Sequence, residues 1–251
     1  MAPKISVVVP LLNEGPNVAP LARQITAVLG REQREFEVVF VDDASTDDTW
    51  DCILEAQRSD HRIHAIRHAR RGGQSAALWT GFRASRGEVI ATLDGDLQND
   101  PADLPRLVAE LANCDLACGI RTQRMDSVVR RLSSKVARAA RRIVFGVDFR
   151  DSACNLRAFK RGVLDSLPAF DGIHRFMPIL AQSGGAVVKE VPVTHRPRIA
   201  GQSKYGVWNR LGRGILDLLM VALYRRRQLR NIPVMEHSEP HPDPSSPRPL
   251  T

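Results

Sequence analysis

The sequence predicts an α/β protein with a Rossmann-like mixed, mainly parallel sheet flanked by helices, an expectation that rests on three observations. Continuous apolar, largely β-branched runs at Ile5–Val9, Phe36–Val41 and Val89–Leu93 suit strands buried on both faces. Helical stretches lie between and after them, over Val18–Leu29, Thr49–Ser59 and Ser75–Ser85. Each strand run ends in polar, turn-forming residues, and ligands of such sheets sit beyond the strands' carboxyl ends.

The remaining elements follow in order. His64–Arg67 supplies a short strand, and Gly72-Gly73 breaks the chain before the third helix. The second half reads as a helix over Pro101–Asn113, a strand at Leu116–Gly119, a basic helix over Ser127–Phe145 and a strand at Asn155–Phe159. A helix around Arg175–Gln182, a strand at Val187–Val193 and an amphipathic helix over Val207–Arg227 complete it. Residues 1–230 are expected to form one domain, its halves covering about 4–114 and 115–230, with no internal repeat. The tail 231–251, rich in Pro, Ser and His, is expected to stay solvated.

With 251 residues, 43% of them hydrophobic and 25% charged, the chain can bury a full core, so disorder is not expected. Cys52, Cys114, Cys118 and Cys154 fit neither paired CxxC metal spacing nor a small secreted framework, which favours a reduced, cytosolic setting. The N-terminus enters a strand-like KISVVVP without the regions of a signal peptide. Ile215–Tyr224 is about half the length of a spanning helix and contains Asp217, so no membrane crossing is expected. A net charge of +8 calls for an anionic partner: nucleic acid, anionic lipid or a phosphorylated substrate. Nucleic acid fits least, because the basic segments lack interleaved aromatics and only 5% of residues are aromatic.

Three strand-end segments hold the candidate chemistry. LDGDLQNDP places Asp94, Asp96 and Gln98 at alternating positions, where extended geometry directs them to one side. Such hard oxygen ligands suit Mg²⁺ or Mn²⁺, which keep positions open for phosphates. Asp100 and Pro101 read as the start of the next helix. In VDDASTDDT, Asp42 lies nearest the strand and can accept from a base edge or ribose, whereas Asp47 or Asp48 caps the following helix. Glu14 in VPLLNEGPN could reach the same nucleoside, although a loop Glu is usually only solvated.

Taken together, VPLLNEGPN, VDDASTDDT and RRGGQSAALWTGFRASRGEVIATLDGDLQNDP resemble the catalytic domain of glycosyltransferase family 2, over about residues 4–230. The later segments GIRTQR, RRLSSK, DSACNLRAFKR and RIAGQSKYG resemble acceptor-side motifs of its dolichyl-phosphate mannosyltransferase and bacterial polyprenyl-phosphate glycosyltransferase branch. This resemblance implies a GT-A fold, a nucleotide diphosphate sugar donor of the GDP-mannose or UDP-glucose type, a polyprenyl (dolichyl or undecaprenyl) phosphate acceptor, and Mg²⁺ or Mn²⁺. It implies that Pro10, Leu12, Glu14, Phe40 and Asp42 border the nucleoside, and that Asp94, Gly95 and Asp96 lie at the diphosphate sugar. Asp94, Asp96 and Gln98 would form the metal set, Arg121, Arg131 and Ser134 would face the acceptor phosphate, and Arg198 and Lys204 would close over the donor. Three positions depart from the family pattern. Leu12 replaces a common aromatic, Gly95 replaces a usual Ala with no harm expected, and Asn155 replaces a usual Gly and is expected to alter a turn near Arg157.

Such a reaction releases a diphosphate that gains negative charge, so a metal and cationic side chains aimed at its oxygens lower the barrier. Asp94, Asp96, Arg121, Arg131, Arg198 and Lys204 are the catalytic candidates. A phosphate acceptor is already anionic, needs positioning more than deprotonation, and would attack with inversion. Between Arg121 and Arg142 eight basic residues face one acid, Asp126, and apolar residues recur at helical spacing, which suits anionic headgroups. Trp208, Leu211, Ile215, Leu218, Leu219 and Ala222 form a second apolar stripe, ahead of Arg225, Arg226 and Arg227. The expectation is a cytoplasmic enzyme held peripherally on the cytoplasmic face of the membrane, with a homo-oligomer or a membrane-protein partner as further partners; the competing account packs that stripe against the protein core or a second subunit. Two alternatives are a family 2 transferase with a soluble or polysaccharide acceptor and a non-catalytic nucleotide-sugar-binding protein.

Overall fold

The computed structural model describes residues 4–121, 138–139, 141–151, 154–196 and 207–227, the side chains of 207–215 excepted. Its strands are β1 (Ile5–Leu11), β2 (Phe36–Asp42), β3 (Ile63–Arg67), β4 (Val89–Thr92), β5 (Leu116–Arg121), β6 (Arg157–Lys160) and β7 (Val188–Val193). The named helices are α1 (Gly15–Arg31), α2 (Thr49–Ser59), α3 (Gln74–Ala84), α4 (Leu104–Glu110), α5 (Ile173–Ser183) and α6 (Val207–Arg227). All strands join one sheet in the order β3-β2-β1-β4-β6-β5-β7. Pairing is parallel except at β6, which runs antiparallel to both β4 and β5. The mainly parallel sheet is therefore as expected, and β6 joins the strands of the two halves.

Strand alternation divides the core between the two faces of the sheet. Val7, Val9 and Phe40 pack with Leu21 and Ile25 of α1, Ile53 of α2 and Leu107 of α4. Val8, Val39 and Val41 face the other way, toward Leu78 and Phe82 of α3 and Phe176 and Leu180 of α5. Gly81 lets α3 lie close to the sheet: a Cβ there would come 2.3 Å from Val8 Cγ1.

Element boundaries differ most from the expected ones at two helices. α1 begins at Gly15, where Pro16 gives up no hydrogen bond by occupying the first turn. The helix expected over Pro101–Asn113 is a 3₁₀ turn at Pro101–Asp103 followed by a short α4. Asp100 does cap this start, accepting from Ala102 N. Of the basic helix expected over Ser127–Phe145, residues 138–139 and 141–145 are described and helical. The tail 231–251 lies outside the described residues.

α6 is apolar on two sides. Val221 is buried and Leu218 and Ala222 pack with it, whereas Leu216, Leu219, Met220 and Leu223 are exposed. The expected single stripe is thereby corrected: Leu218 and Ala222 face the core and Leu219 faces out, because residues three and four apart share a face while adjacent ones diverge. Arg175 of α5 pairs with Asp217 at 3.5 Å. Among the described residues no helix is long and apolar enough to cross a membrane.

At the amino ends of the strands, buried Glu37 accepts from Ser6 Oγ at 2.6 Å and from Arg86 N and Nε at 2.6 and 2.9 Å, with His64 Nε2 3.3 Å away. Burial pushes its carboxyl up, but these hydrogen bonds and the Arg86 charge outweigh it and hold the group below its ordinary 4.5. A depressed folded-state value means that the contribution is present above the unfolded value and lost as pH falls through the folded one. Glu37→Gln is expected to be less stable at neutral pH and to lose less stability on acidification from about pH 5 to about pH 3, measured by urea unfolding midpoints.

Candidate active site

The loops following β1, β2 and β4 lie together because β1 sits between the other two strands. The first two are laced by hydrogen bonds: Asn13 N to Ser45 Oγ (2.9 Å), Thr46 N to Asn13 Oδ1 (2.8 Å) and Glu14 N to Thr49 Oγ1 (2.8 Å). A Cβ on Gly15 would meet Asp48 Oδ1 at 2.1 Å, so a larger residue there would displace the exposed Asp48 side chain. Asp47, not Asp48, accepts from Thr49 N, at 3.1 Å, at the start of α2. Each loop also holds one non-glycine residue in the left-handed region: Asn13 (φ 51°), Ala44 (φ 57°) and Leu97 (φ 60°). Strain of about 1 kcal/mol or more at such positions persists where the surroundings over-determine the backbone, as they do at binding sites.

Four of the residues expected at the nucleoside line this edge. Pro10, Leu12 and Glu14 are partly exposed, and Glu14 Oε2 accepts from Asn17 Nδ2 at 2.7 Å. Asp42 is fully buried, with Oδ1 accepting from Ser45 N at 3.1 Å and Oδ2 3.0 Å from Arg67 Nε. The fifth, Phe40, does not bring its side chain here: it shares a face of β2 with Asp42 but lies two residues before the strand's end, where the ring is buried in the core. Sequence reading missed Asp43. Its carboxylate accepts from Gly72 N and Gly73 N at 2.7 Å each and contacts His68 Nδ1 at 2.8 Å, which fixes the loop leading into α3. The Asp and the glycine pair are visible in the sequence, but only the β2–β3 pairing shows that they meet.

The aspartate segment is a turn and not the extended run expected from its alternation, since Leu97 is left-handed. Asp94 Oδ1 accepts from Gln74 Nε2 at 2.8 Å and Asn155 Nδ2 at 3.0 Å. Burial, then the neighbouring charge of Asp96, pushes the Asp94 carboxyl up to about 6, against the Asn155 amide and the charges of Arg157 and Arg121. Asp96 Oδ1 accepts from Gln98 N at 3.2 Å. The chain from Thr194 to Arg196 docks on this turn: Arg196 N donates to Gln98 O at 2.8 Å, His195 bridges Asn99, and Arg196 pairs with Asp100. His195 and Arg196 were not recognised as neighbours of the site, because 98 positions separate Arg196 from Gln98.

Two of the family departures acquire a physical meaning. A Cβ at position 95 would lie 2.3 Å from Leu11 Cδ2, so Gly95 goes with Leu11, which fills the space an alanine methyl would take. Asn155 does not act through a turn. It has no left-handed backbone, and its side chain reaches Asp94.

In the second half of the chain, Arg121 at the end of β5 holds Asp151 through Nε (2.7 Å) and Nη2 (2.9 Å). Arg157, almost fully buried on β6, stands opposite Thr92 and Cys118. Behind it His174, held neutral by burial and by the charges of Arg175 and Arg157 with its titration pushed down to about 3, contacts Ser75 Oγ at 2.7 Å. Arg131, Ser134, Arg198 and Lys204 lie outside the described residues.

The Leu11–Gly95 contact is directly testable. Gly95→Ala is expected to destabilise by about 1–3 kcal/mol through overpacking, and Leu11→Ala in the same chain to cost less than the sum of the two single changes, as measured by chemical denaturation.

Comparisons with known proteins agree with this geometry. An undecaprenyl-phosphate 4-deoxy-4-formamido-L-arabinose transferase of Pseudomonas fluorescens is 39% identical over 203 residues, covering 80% of this chain and 60% of the relative. A dodecaprenyl-phosphate galacturonate synthase of Rhizobium johnstonii is 36% identical over 238 residues, covering 90% of this chain and 69% of the relative. The chain thus spans about two thirds or less of the length of these curated relatives. Among solved structures, glucosyl-3-phosphoglycerate synthase of Mycobacterium tuberculosis with Mn²⁺, UDP and glucosyl-3-phosphoglycerate superposes with a TM-score of 0.64 at 20% identity, covering 89% of this chain and 80% of that one. A mannosyltransferase of Pyrobaculum calidifontis with GDP-Man and Mn²⁺ gives 0.65 at 22% identity, covering 89% and 65%. Both likenesses show the shared GT-A fold. Residues 6–167 match the model of Glycosyl transferase family 2, and with the strand-end loops arranged as described the chain belongs to that family.

Proposed function

We propose that this chain transfers a sugar, a hexose such as mannose or glucose, from a nucleotide diphosphate to a polyprenyl phosphate at a membrane surface, with inversion at the anomeric carbon. The observation that carries this reading is the Asp94–Asp96 turn at the carboxyl end of β4, beside the loops of β1 and β2, with Asp94 raised by burial and then by the charge of Asp96. The relatives named for polyprenyl-phosphate sugar transfer support the acceptor class.

The donor set fits a hard divalent cation. Two carboxylates repelling one another, with the amide of Gln98 in the same turn, offer oxygen ligands and leave positions for diphosphate oxygens. Bound there, Mg²⁺ or Mn²⁺ would neutralise charge on the departing diphosphate. The protein's own part is to hold the nucleoside along Pro10, Leu12, Glu14 and Asp42, with Gly95 letting the backbone of the aspartate turn lie against Leu11. Arg121, Arg131 and Ser134 take the acceptor phosphate, which attacks without a dedicated general base, while Arg198 and Lys204 cover the donor and exclude water. Residues 1–230 act as one catalytic unit in this reading.

The surface supports peripheral attachment. Leu216, Leu219, Met220 and Leu223 face outward on α6, which ends in Arg225, Arg226 and Arg227, and Ile143 is 84% exposed beside Arg142. Each basic side chain near an anionic surface contributes about 1 kcal/mol, so a handful gives reversible binding without a spanning helix.

Transfer is tested with radiolabelled donors (GDP-mannose, UDP-glucose and a UDP-uronic acid) and undecaprenyl phosphate, with Mg²⁺ or Mn²⁺ present. Asp96→Asn is expected to lower turnover by about 10²-fold or more, and excess chelator to abolish it; full activity in chelator would refute the metal. The protein is expected to cosediment with anionic liposomes at low salt and to be released at high salt as the charges are screened. Equal binding to neutral liposomes would exclude electrostatic attachment.

A further inference from the structure

Two side-chain amides converge on a single oxygen of Asp94. Gln74 Nε2 donates from the first residue of α3 at 2.8 Å, and Asn155 Nδ2 donates from the segment entering β6 at 3.0 Å, both to Oδ1. Each arm is anchored independently. The Asn155 side chain is almost fully buried, and its backbone carbonyl accepts the Thr92 hydroxyl at 2.5 Å, which fastens it to the end of β4 two residues before Asp94. Gln74 follows the glycine pair held by Asp43, and its neighbour Ser75 contacts His174 and accepts from Gly172 N at 2.9 Å.

The terminal torsion of an aspartate is broad, so a carboxylate at a strand end samples a wide range of plane orientations unless something fixes it. Two donors on one oxygen, arriving from two different elements, select one orientation and direct the second oxygen elsewhere. Asn155 stands where glycine is usual in this family, and glycine has no side-chain donor. Its backbone is not left-handed, so the local conformation does not itself require glycine.

We propose that Gln74 and Asn155 form an amide clamp that sets the plane of the Asp94 carboxylate and turns Oδ2 toward the donor sugar, making Asn155 a positioning residue for transfer. The role in transfer rests on the function proposed above; the clamp itself rests on the hydrogen bonds. Asn155→Gly is the informative variant, because it removes the amide and keeps the carbonyl that Thr92 bonds. Outer hydrogen-bond partners of this kind are typically worth about 10-fold to 100-fold in activity.

Two measurements test the proposal. In the substrate-free protein, the side-chain amide NMR resonances of Asn155 and Gln74 are expected to shift in the Asp94→Ala variant; unmoved resonances would overturn the clamp. In the transfer assay, Asn155→Gly is expected to lower kcat by about 10-fold or more with the KM for the nucleotide sugar changed by less than about 3-fold. The same change in the Asp94→Ala background is expected to alter the residual kcat by less than about 2-fold, because no carboxylate remains to be oriented. An unchanged kcat in Asn155→Gly, or equal losses in both backgrounds, would overturn the positioning role. Resonances that shift in a protein that transfers no sugar from any donor would overturn the reaction and the positioning role with it, while leaving the hydrogen bonds intact.

Discussion

The parallel pairing of β1 with both β2 and β4 governs the rest of the molecule. Its register sets Leu11 opposite Asp42 and Val8 opposite Thr92, so three strands deliver their following loops to one edge. Backbone hydrogen bonds fix that alignment, and the strands themselves are buried on both faces. Because the loops then crowd one another, two glycines lie where a side chain would displace a neighbour. Gly15 lies against Asp48, and Gly95 against Leu11. The left-handed Ala44 and Leu97 belong to the same crowding: local strain of the order of 1 kcal/mol is held in place by the surrounding contacts.

The second constraint is electrostatic. Burial, then the charge of the neighbouring Asp96, raises the titration of Asp94, and the counterweights come from elsewhere in the chain: the Asn155 amide, then Arg157 and Arg121. Antiparallel β6 makes this possible, since it places Arg157 opposite Thr92 and brings Asn155 to the end of β4. A purely parallel continuation of the sheet would carry these residues toward the opposite edge. The insertion of β6 between β4 and β5 thus brings the Asp94–Asp96 turn together with Asn155, Arg157 and Arg121.

α6 shows how one helix can meet two environments. Val221, Leu218 and Ala222 complete the core against α5, and Asp217 meets Arg175, while Leu216, Leu219, Met220 and Leu223 remain outside. Burial of the first set accounts for the attachment of the helix to the protein. Contiguous exposed apolar side chains of the second kind mark surfaces that meet a lipid or protein partner.

By itself, the amino-acid sequence determined the elements of the donor half, because long β-branched runs and helical periodicity are local properties. It also determined which strand ends carry acids, and through its ordered motifs the family. Tertiary structure alone decided which residues meet. Phe40 reads as a site residue beside Asp42, yet its place inside β2, two residues before the strand's end, buries its ring in the core. Asp43 reads as one more acid in a turn, yet it holds the glycine pair before α3, 29 positions further on. Gly95 reads as a neutral departure and Asn155 as one that alters a turn, but the contacts they make, with Leu11 and Asp94, lie 84 and 61 positions distant in the chain. Periodicity reports only on neighbours within a few residues, whereas packing and hydrogen bonding are set by strand order, and the antiparallel insertion of β6 is a choice that no local pattern encodes.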